Sequence, residues 1–407
     1  MHVDLNSCFA TAEQQANPLL RGKPLGVAAY DSPGGCIVAP SIEAKRLGIK
    51  TGMRIREAHL LCPDLIIRTP DPEKYRDIHM KFRKIFQTYS DKVTPKSIDE
   101  AIIDFRSMEG TNIDLVKVGY EIKKRMRSEI GDWMSCNVGI GTNRFLAKTA
   151  AGLHKPDGLD VITHQNLIQI YESLDLIDLC GINTRYQARL NSYNIFTPID
   201  FLNAESEKLH KLVFKSIVGK QWYERLRGYE TDDVEFTTKN IGQMYSLKKP
   251  TNEKKELGSI LMKLCEKSGR RLRKQGYVAH GIHVSCIYDD WTHWHRGRLM
   301  SSDLYTTNEI YKAVWYVLNQ QPIVKKVAKI AMSCYGLQKK EDIQPTLFED
   351  GNERHRKASD AMDAINDRFG EFIVTPGIMM GMKDVVVDRV AFGGVKELED
   401  LYLNNTA

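Results

Sequence analysis

The sequence predicts an α+β protein built from several domains, and three observations carry this prediction. Its 407 residues are more than a single hydrophobic core usually serves. Residues 1–162 alternate strand-like and helix-like stretches, whereas residues 163–230 contain only short helical patterns. Residues 237–340 hold 19 Lys and Arg against 7 Asp and Glu, an excess of twelve positive charges in a chain whose net charge is +6.

The composition is that of an ordinary soluble globular protein, with 42% hydrophobic and 27% charged residues. We expect a cytoplasmic monomer. No run of about 18 apolar residues is present, so we expect no membrane-spanning helix, and the N-terminus lacks the basic segment followed by an apolar segment that is typical of a signal peptide. Eight scattered cysteines without a CxxC pair predict reduced thiols and no zinc site.

The first region predicts a mixed sheet with helices on it. We expect strands at "GKPLGVAAY", "GGCIVAP" and "SCNVGIGT", and a strand, tight turn and strand at "VTPKSIDEAIIDF". We expect helices at "SIEAKRLGI", "PEKYRDIHMKFRKIFQTYS", "DLVKVGYEIKKRMRSEIG" and "NRFLAKTAAGLHKPDG".

The basic module follows the polar stretch "YETDDVEFTTKN", which is the best candidate for a linker. The module predicts a long helix at "KELGSILMKLCEKSGRRLRKQG" and strands at "HGIHVSCIY" and "VKKVAKIAMSCYGL". Its charge favours a polyanionic partner, most simply nucleic acid, over a merely solvated basic surface.

Three carboxylates form the strongest candidate site. Asp4 lies inside an apolar strand, and Asp99 and Glu100 lie at a strand corner flanked by apolar residues. Each alone is more simply a turn or edge-strand charge, but together they favour a cation, because unpaired carboxylates near a core are unfavourable. Oxygen ligands suit Mg²⁺, and two such ions would stabilise a phosphoryl transfer.

Other motifs are weaker. Gly139-x-Gly141 lacks the third glycine of a dinucleotide fingerprint and indicates a tight strand-to-helix turn. "LCGINTRYQARLNSYNIF" resembles a helix-hairpin-helix that binds one phosphate, although Asn183 stands where a second glycine is usual. Two packed helices joined by a glycine turn would account for this stretch about equally well. "QPTLFED" has the apolar anchors of a docking peptide, and "HWHRG" offers only two histidines, so it predicts no metal site.

Taken together, the motifs resemble those of a Y-family DNA polymerase, the lesion-bypass class, and most closely its UmuC-like bacterial branch. The segments "HVDLNSCFA", "IVAPSIEAKRLGIKTGM", "SIDEAIIDF", "VGIGTNRFLAKTAAGLHKPDG" and "LCGINTRYQARL" occur in the family's order and approximate spacing. The resemblance implies a low-fidelity, template-directed polymerase that acts in the response to DNA damage, including the SOS response.

The resemblance also implies a right-hand architecture. It assigns the palm to residues 1–9 and 70–162, the fingers to 10–69, the helical thumb to 163–230 and a linker to 231–240. An α/β little finger would span residues 241–340, which is the basic module, and a tail would span 341–407.

The family's functional residues carry over to matching positions. Asp4, Asp99 and Glu100 match its metal-binding carboxylates, and the Leu5 carbonyl matches a backbone ligand of the two Mg²⁺ ions, for which Mn²⁺ could substitute. Primer-template DNA and a dNTP would be the substrates.

Four side chains match nucleotide-binding positions. Phe9 matches the steric gate, an aromatic ring that lies under the sugar and clashes with a 2′-OH. Lys45, Tyr75 and Lys155 match residues that contact the incoming triphosphate.

The chain departs from the family pattern at four positions, which are Ala39 and Ile42 in place of hydroxyl-bearing residues, Asn6 in place of Asp, and Cys8 in place of an aromatic residue. The first two losses predict weaker nucleotide binding and low turnover.

"QPTLF" resembles the peptide with which bacterial polymerases bind the sliding clamp, through Gln344, Leu347 and Phe348. The stretch after it, "RKASDAMDAINDRFGEFIV", resembles the tail of bacterial UmuC-like members.

Two alternatives remain beside the polymerase. A catalytically weak accessory protein that binds DNA and clamp would have no need of the three carboxylates. A different two-metal enzyme, a cyclase or a nuclease, fits neither the basic module nor the absence of further His or carboxylate clusters.

Overall fold

The computed structural model describes residues 1–108, 110, 113–233, 238–322, 325–342, 352–382 and 385–386. The chain forms two compact units that divide between residues 234 and 235. Across the described residues, no helix is long and apolar enough to cross a membrane. All eight cysteines are free, as the sequence predicts.

The first unit contains eight strands and eleven helices within its described residues. Its strands are β1 (His2–Leu5), β2 (Leu25–Ala28), β3 (Ile37–Pro40), β4 (Ile66–Arg68), β5 (Val93–Pro95), β6 (Glu100–Ile103), β7 (Cys136–Gly141) and β8 (Leu159–Ile162). Its helices are α1 (Cys8–Ala16), α2 (Ile42–Arg46), α3 (Ile55–Leu61), α4 (Pro72–Gln87), α5 (Leu115–Arg125), α6 (Arg144–Leu153), α7 (Leu167–Glu172), α8 (Thr184–Asn191), α9 (Pro198–Asn203), α10 (Ser206–Lys208) and α11 (Val218–Leu226).

A five-stranded sheet of order β5-β6-β1-β7-β8 forms the centre of this unit. β1 lies antiparallel between β6 and β7, whereas β7 and β8 are parallel, so the sheet is mixed, as expected. Successive side chains alternate between the two faces of a strand. Val3 and Leu5 therefore enter the main core with Phe82 and Phe86 of α4, and Asp4 faces the other way.

A smaller sheet of order β3-β2-β4 lies within residues 25–68, and α2 and α3 pack on it. The segment from α7 to α11 is all-helical around buried aromatic residues, among them Phe201 and Trp222.

The predicted helix-hairpin-helix is only partly formed. Its first arm is a 3-10 turn, Leu176–Asp178, rather than a helix. Gly181 turns the chain at φ 99°. Asn183 then caps α8, and its side chain accepts hydrogen bonds from the N–H groups of Arg185 and Tyr186. The position expected to carry a second glycine therefore serves as a helix cap.

The second unit is an antiparallel four-stranded sheet with helices. Its elements are β9 (Asn240–Thr251), α12 (Lys254–Lys274), β10 (Tyr277–Tyr288), β11 (His293–Leu304), α13 (Thr307–Leu318), β12 (Val327–Lys339) and α14 (Asn352–Phe369). The strand order is β11-β10-β12-β9. The long helix and two strands expected in the basic module are confirmed, whereas β9 and β11 were not clearly predicted.

The tail helix α14 belongs to this unit. Asp363 of α14 forms a two-point ion pair with Arg273 of α12, at 2.5 and 2.9 Å. Only 4% of the Arg273 side chain is exposed. Helix α14 is therefore a packed part of the unit.

Candidate active site

Strand pairing brings the three predicted carboxylates to one end of the central sheet. Asp4 lies directly opposite Glu100 in the β1–β6 register. Asp99 immediately precedes β6, and its carbonyl accepts a hydrogen bond of 2.9 Å from the Leu5 N–H. Directly opposed residues of antiparallel strands project to the same face. The sheet therefore places the side chains of Asp4 and Glu100 together.

Helix α6 supplies the cations next to these carboxylates. It lies so close to β7 that a Cβ atom added to Gly139 would be 1.9 Å from the Ala147 carbonyl oxygen. Lys148 Nζ reaches Glu100 Oε2 at 2.8 Å. Lys155, just beyond the helix, forms an ion pair with Asp4. The Gly139-x-Gly141 motif thus permits a close strand-to-helix contact and is no part of a dinucleotide site.

The electrostatic environment separates the two adjacent carboxylates. Burial, with further repulsion from Asp4 and Glu100, raises the pKa of Asp99. Burial also opposes the charge of Glu100, but the adjacent side chains of His2 and Lys148 outweigh this effect and lower the pKa of Glu100 to about 2. His2 is 1% exposed, with Nε2 3.3 Å from Glu100 Oε2. Asp99 accepts a hydrogen bond from the Ser97 hydroxyl, which only partly opposes the rise of its pKa, whereas Glu100 is paired with a lysine.

A cavity of about 270 Å³ opens beside Asp4 and Asp99. Seven of the residues that line it were predicted to belong to the site or to modulate it, and these are Asp4, Leu5, Phe9, Ala39, Lys45, Asp99 and Lys155. Burial and repulsion by Lys155 lower the pKa of Lys45, although Asp4 and Asp99 oppose this shift. The cavity therefore has an acidic wall, a basic wall and an aromatic side.

Ser7 makes the sharp turn from β1 into α1. Its φ of 49° lies in the left-handed region, which is uncommon for residues other than glycine. The turn directs Phe9 to the cavity that Asp4 and Leu5 also line. The buried Ser7 hydroxyl, which also lines the cavity, has no hydrogen-bond partner among the described residues. It is a polar group available to a ligand.

Two predicted residues are not brought to the cavity wall. Glu100 lies next to Asp4 but is held by Lys148 and His2 and does not line the cavity. Tyr75 is fully buried and stacks behind Phe9, with ring centroids 4.4 Å apart. Its hydroxyl donates to Glu13, so a direct contact of Tyr75 with a triphosphate does not fit this arrangement.

The departures from the family pattern have distinct environments. The Asn6 side chain is buried in hydrogen bonds with Ser135 and Asn137, and the residue is also one of those that line the cavity. Ala39 lines the cavity and offers it only a methyl group. Ile42 is the first residue of α2 and does not line the cavity.

The donor set suits a hard cation without forming a closed cage. In the part of the chain that the structure describes, no three His, Cys, Asp or Glu side chains are grouped to hold a metal ion by themselves. Mg²⁺ is commonly bound by one or two carboxylates together with substrate phosphates. Asp4 and Asp99, which line the same cavity, fit that pattern.

Sequence reasoning missed three residues of the site, namely Lys148, His2 and Ser7. Lys148 precedes Lys155 by seven residues, which is the spacing of one helix face, so its position beside the carboxylates had a sequence signal. His2 also had one, because it is two residues before Asp4 on the same face of β1. Nothing in the sequence signals the left-handed turn at Ser7.

The predicted clamp peptide, with Gln344, Leu347 and Phe348, lies outside the residues that the structure describes. His293 and His295 stack on β11, and His283 Nε2 lies 3.2 Å from His295 Nδ1. Within the described chain, these histidines are not part of a group of three or more potential metal ligands.

Comparison with known proteins identifies relatives of both units. The model of the impB/mucB/samB family matches residues 3–152, and the model of that family's C-terminal domain matches residues 238–347. DNA polymerase IV of Pelotomaculum thermopropionicum is 30% identical over 393 residues, covering 95% of this chain and 96% of the relative. DNA polymerase IV of Moorella thermoacetica is 32% identical over 380 residues, covering 91% and 93%.

A solved structure shows the same fold. A Y-family DNA polymerase chimera superposes with a TM-score of 0.71 at 24% identity, covering 83% of this chain and 98% of the chimera. Because the two relatives above carry the name DNA polymerase IV, the comparisons support the DinB type rather than the UmuC-like branch that the motifs favoured.

Proposed function

This chain belongs to the impB/mucB/samB family of Y-family DNA polymerases, and we propose that it is a template-directed polymerase of the translesion type. It adds deoxynucleotides to a primer 3′-OH and copies past damaged template. The observation that supports this function best is the single cavity that Asp4, Asp99, Phe9, Lys45 and Lys155 line together. In such a cleft, the acidic groups suit the metal ions, the basic groups suit the triphosphate, and the aromatic ring suits the sugar of a metal-bound nucleoside triphosphate.

Y-family DNA polymerases depend on divalent metal ions. We propose that Asp4, Asp99, Glu100 and the Leu5 carbonyl hold two Mg²⁺ ions, with Mn²⁺ as a possible substitute. Bound there, the ions would neutralise charge that develops on the reacting phosphate. Glu100 can take part only when its carboxylate leaves the hydrogen bond with Lys148 and the 3.3 Å contact with His2.

The chain's own cations and aromatic ring account for nucleotide binding. Lys45 and Lys155 are placed to pair with triphosphate oxygens, which would compensate the burial and the mutual repulsion that lower the pKa of Lys45. Phe9 lies on the same cavity and would contact the sugar face. Orientation and charge neutralisation by these groups are the main sources of catalysis expected for phosphoryl transfer.

We further propose the right-hand assignment for the remaining elements. The five-stranded sheet is the palm, residues 10–69 are the fingers, residues 163–230 are the thumb, and residues 241–340 are the little finger after a linker at 231–240. The positive charge of the little finger supports binding to the phosphates of primer-template DNA. Gln344, Leu347 and Phe348 are proposed to bind the sliding clamp.

Primer extension tests the catalytic part of this proposal. Wild type with Mg²⁺ and dNTPs should extend a primer, and Asp99→Ala combined with Glu100→Ala should not. Both proteins should bind primer-template DNA comparably, because the little finger is unchanged. Failure of wild type to extend any primer with either Mg²⁺ or Mn²⁺ would leave the accessory-protein alternative in place.

The clamp contact is tested separately with Leu347→Ala and Phe348→Ala together. This variant should lose stimulation by a bacterial sliding clamp and keep clamp-free extension. Unchanged clamp binding would remove the peptide from that role.

A further inference from the structure

Two residues of α1 meet one residue of α4 directly behind the cavity. Phe9 and Glu13 are four residues apart, so they lie one turn apart on the same face of α1. Tyr75 contacts both of them. Its ring stacks on Phe9 with an interplanar angle of 14°, and its hydroxyl donates to Glu13 Oε1 at 2.9 Å.

Both carboxylate oxygens of Glu13 accept hydrogen bonds in this arrangement. Its other oxygen, Oε2, accepts from Lys74 Nζ at 2.9 Å. Only 11% of the Glu13 side chain is exposed. A carboxylate this buried is unfavourable unless it is well paired, and here the neighbouring residues Lys74 and Tyr75 of α4 pair it.

The Tyr75 ring is thereby fixed at both ends. Its face is against Phe9 and its hydroxyl is tied to Glu13, while the residue is completely buried. Burial and the nearby Glu13 charge raise the pKa of Tyr75, so the phenol keeps the proton that it donates. Phe9 therefore rests on a ring that cannot slide along α1 without breaking a buried hydrogen bond.

We propose that Glu13 is a positioning residue for sugar selectivity, acting through Tyr75 on Phe9. The inference rests on the proposed role of Phe9 in contacting the nucleotide sugar. The Phe9 ring can exclude a 2′-OH only if it cannot move away from the nucleotide sugar. Glu13 limits this movement because it holds the Tyr75 ring, and Phe9 would have to displace that ring in order to move.

The test compares kcat/KM for a dNTP and the matching rNTP in single-nucleotide incorporation. Tyr75→Phe removes the hydrogen bond and keeps the ring, so it should lower the dNTP/rNTP ratio about three- to tenfold, as expected for one lost hydrogen bond. Glu13→Ala should lower the ratio at least as much. Glu13→Gln keeps an acceptor for Tyr75 and should restore most of the ratio.

Lys74→Met is the matched control. It removes the second partner of Glu13 but leaves the Tyr75–Glu13 hydrogen bond, so the ratio should stay near that of wild type. Tyr75→Phe removes only one buried oxygen atom, so the variant should fold. Urea unfolding of this variant beside wild type checks that both incorporation rates are measured on folded protein.

Phe9→Ala separates this inference from the proposed function. If Phe9→Ala leaves the ratio unchanged, Phe9 is not a gate and the premise itself fails. If Phe9→Ala relaxes selectivity but Tyr75→Phe and Glu13→Ala keep the wild-type ratio, Phe9 acts without this support and the role of Glu13 is refuted. An equal loss in Glu13→Gln and Glu13→Ala would also overturn it, because the hydrogen bond to Tyr75 would then not be the cause.

Discussion

Replacing Gly139 with alanine should push α6 away from the central sheet. The added Cβ would lie 1.9 Å from the Ala147 carbonyl oxygen and 2.3 Å from the Ala151 backbone nitrogen. Ordinary van der Waals contact begins at 3.4 Å, so the backbone of α6 must move by about 1.5 Å. Neither contacting atom belongs to a flexible side chain, and no rotamer change can relieve the overlap.

The shift should reduce both stability and activity. Overpacking a well-packed core costs about 1–3 kcal/mol, and a backbone clash places Gly139→Ala at or above the upper end. Lys148 lies on the displaced helix, and its 2.8 Å contact with Glu100 would lengthen beyond hydrogen-bonding distance. Urea unfolding of the full chain measures the first effect, and primer extension with the folded fraction measures the second.

Gly152→Ala is the matched control in the same helix. An added Cβ at Gly152 has no atom within 4 Å, and the residue is exposed. Alanine in a helix is favoured over glycine by about 0.5–1 kcal/mol, so this variant should be slightly more stable than wild type. If Gly139→Ala unfolds at the wild-type urea concentration, the close packing of α6 on β7 does not place Lys148, and the reasoning is refuted.

Three further predictions concern stability, pH and salt. Asp363→Asn leaves the buried guanidinium of Arg273 without its anionic partner and should cost about 3 kcal/mol in chemical unfolding of the full chain; an unchanged midpoint would mean that α14 contributes nothing to the second unit. The pKa of Glu100 is lowered from 4.5 to about 2, so its contribution to folding is present above about pH 4.5 and is lost as the pH falls toward 2. The stability difference between wild type and Glu100→Gln, measured without divalent ions, should therefore shrink from pH 6 to pH 3, and a constant difference would contradict the pairing with His2 and Lys148. Binding to primer-template DNA should weaken by about a thousandfold between 50 and 200 mM salt in fluorescence anisotropy if the basic module contacts phosphates, whereas a flat response would exclude that contact.

The elements that sequence patterns predicted well are those with a clear apolar period. Helices α4 and α12 and strand β10 bury one face or alternate regularly, and each was placed within a few residues. Strand β11 was not clearly predicted, because it lies at a sheet edge and only Leu304 at its end is buried. An edge strand with two exposed faces lacks the alternation from which a strand is inferred.

In the site, the residues that are close together in the sequence could be predicted, whereas the contacts between residues distant in the sequence could not. Asp4, Leu5, Ser7 and Phe9 are neighbours in the chain, so β1 and the turn into α1 carry the acidic and aromatic sides of the cavity as one rigid piece. Sequence spacing can indicate such a piece. The contacts that set its chemistry come from elsewhere, because Lys148 reaches Glu100 only through the close packing of α6 on β7.

Tyr75 shows why a residue can belong to a site and still have an unexpected role there. Its position relative to Phe9 follows from how α4 packs against α1, and no spacing in the sequence encodes whether its ring faces the cavity or lies behind the first aromatic side chain. Glu13 determines the direction of the Tyr75 ring, because a buried carboxylate requires hydrogen-bond donors. The two donors to Glu13, Lys74 and Tyr75, both lie on α4. The need of the buried Glu13 carboxylate for hydrogen-bond donors thus fixes the orientation of the Tyr75 ring. Apolar packing alone would not determine which way that ring points.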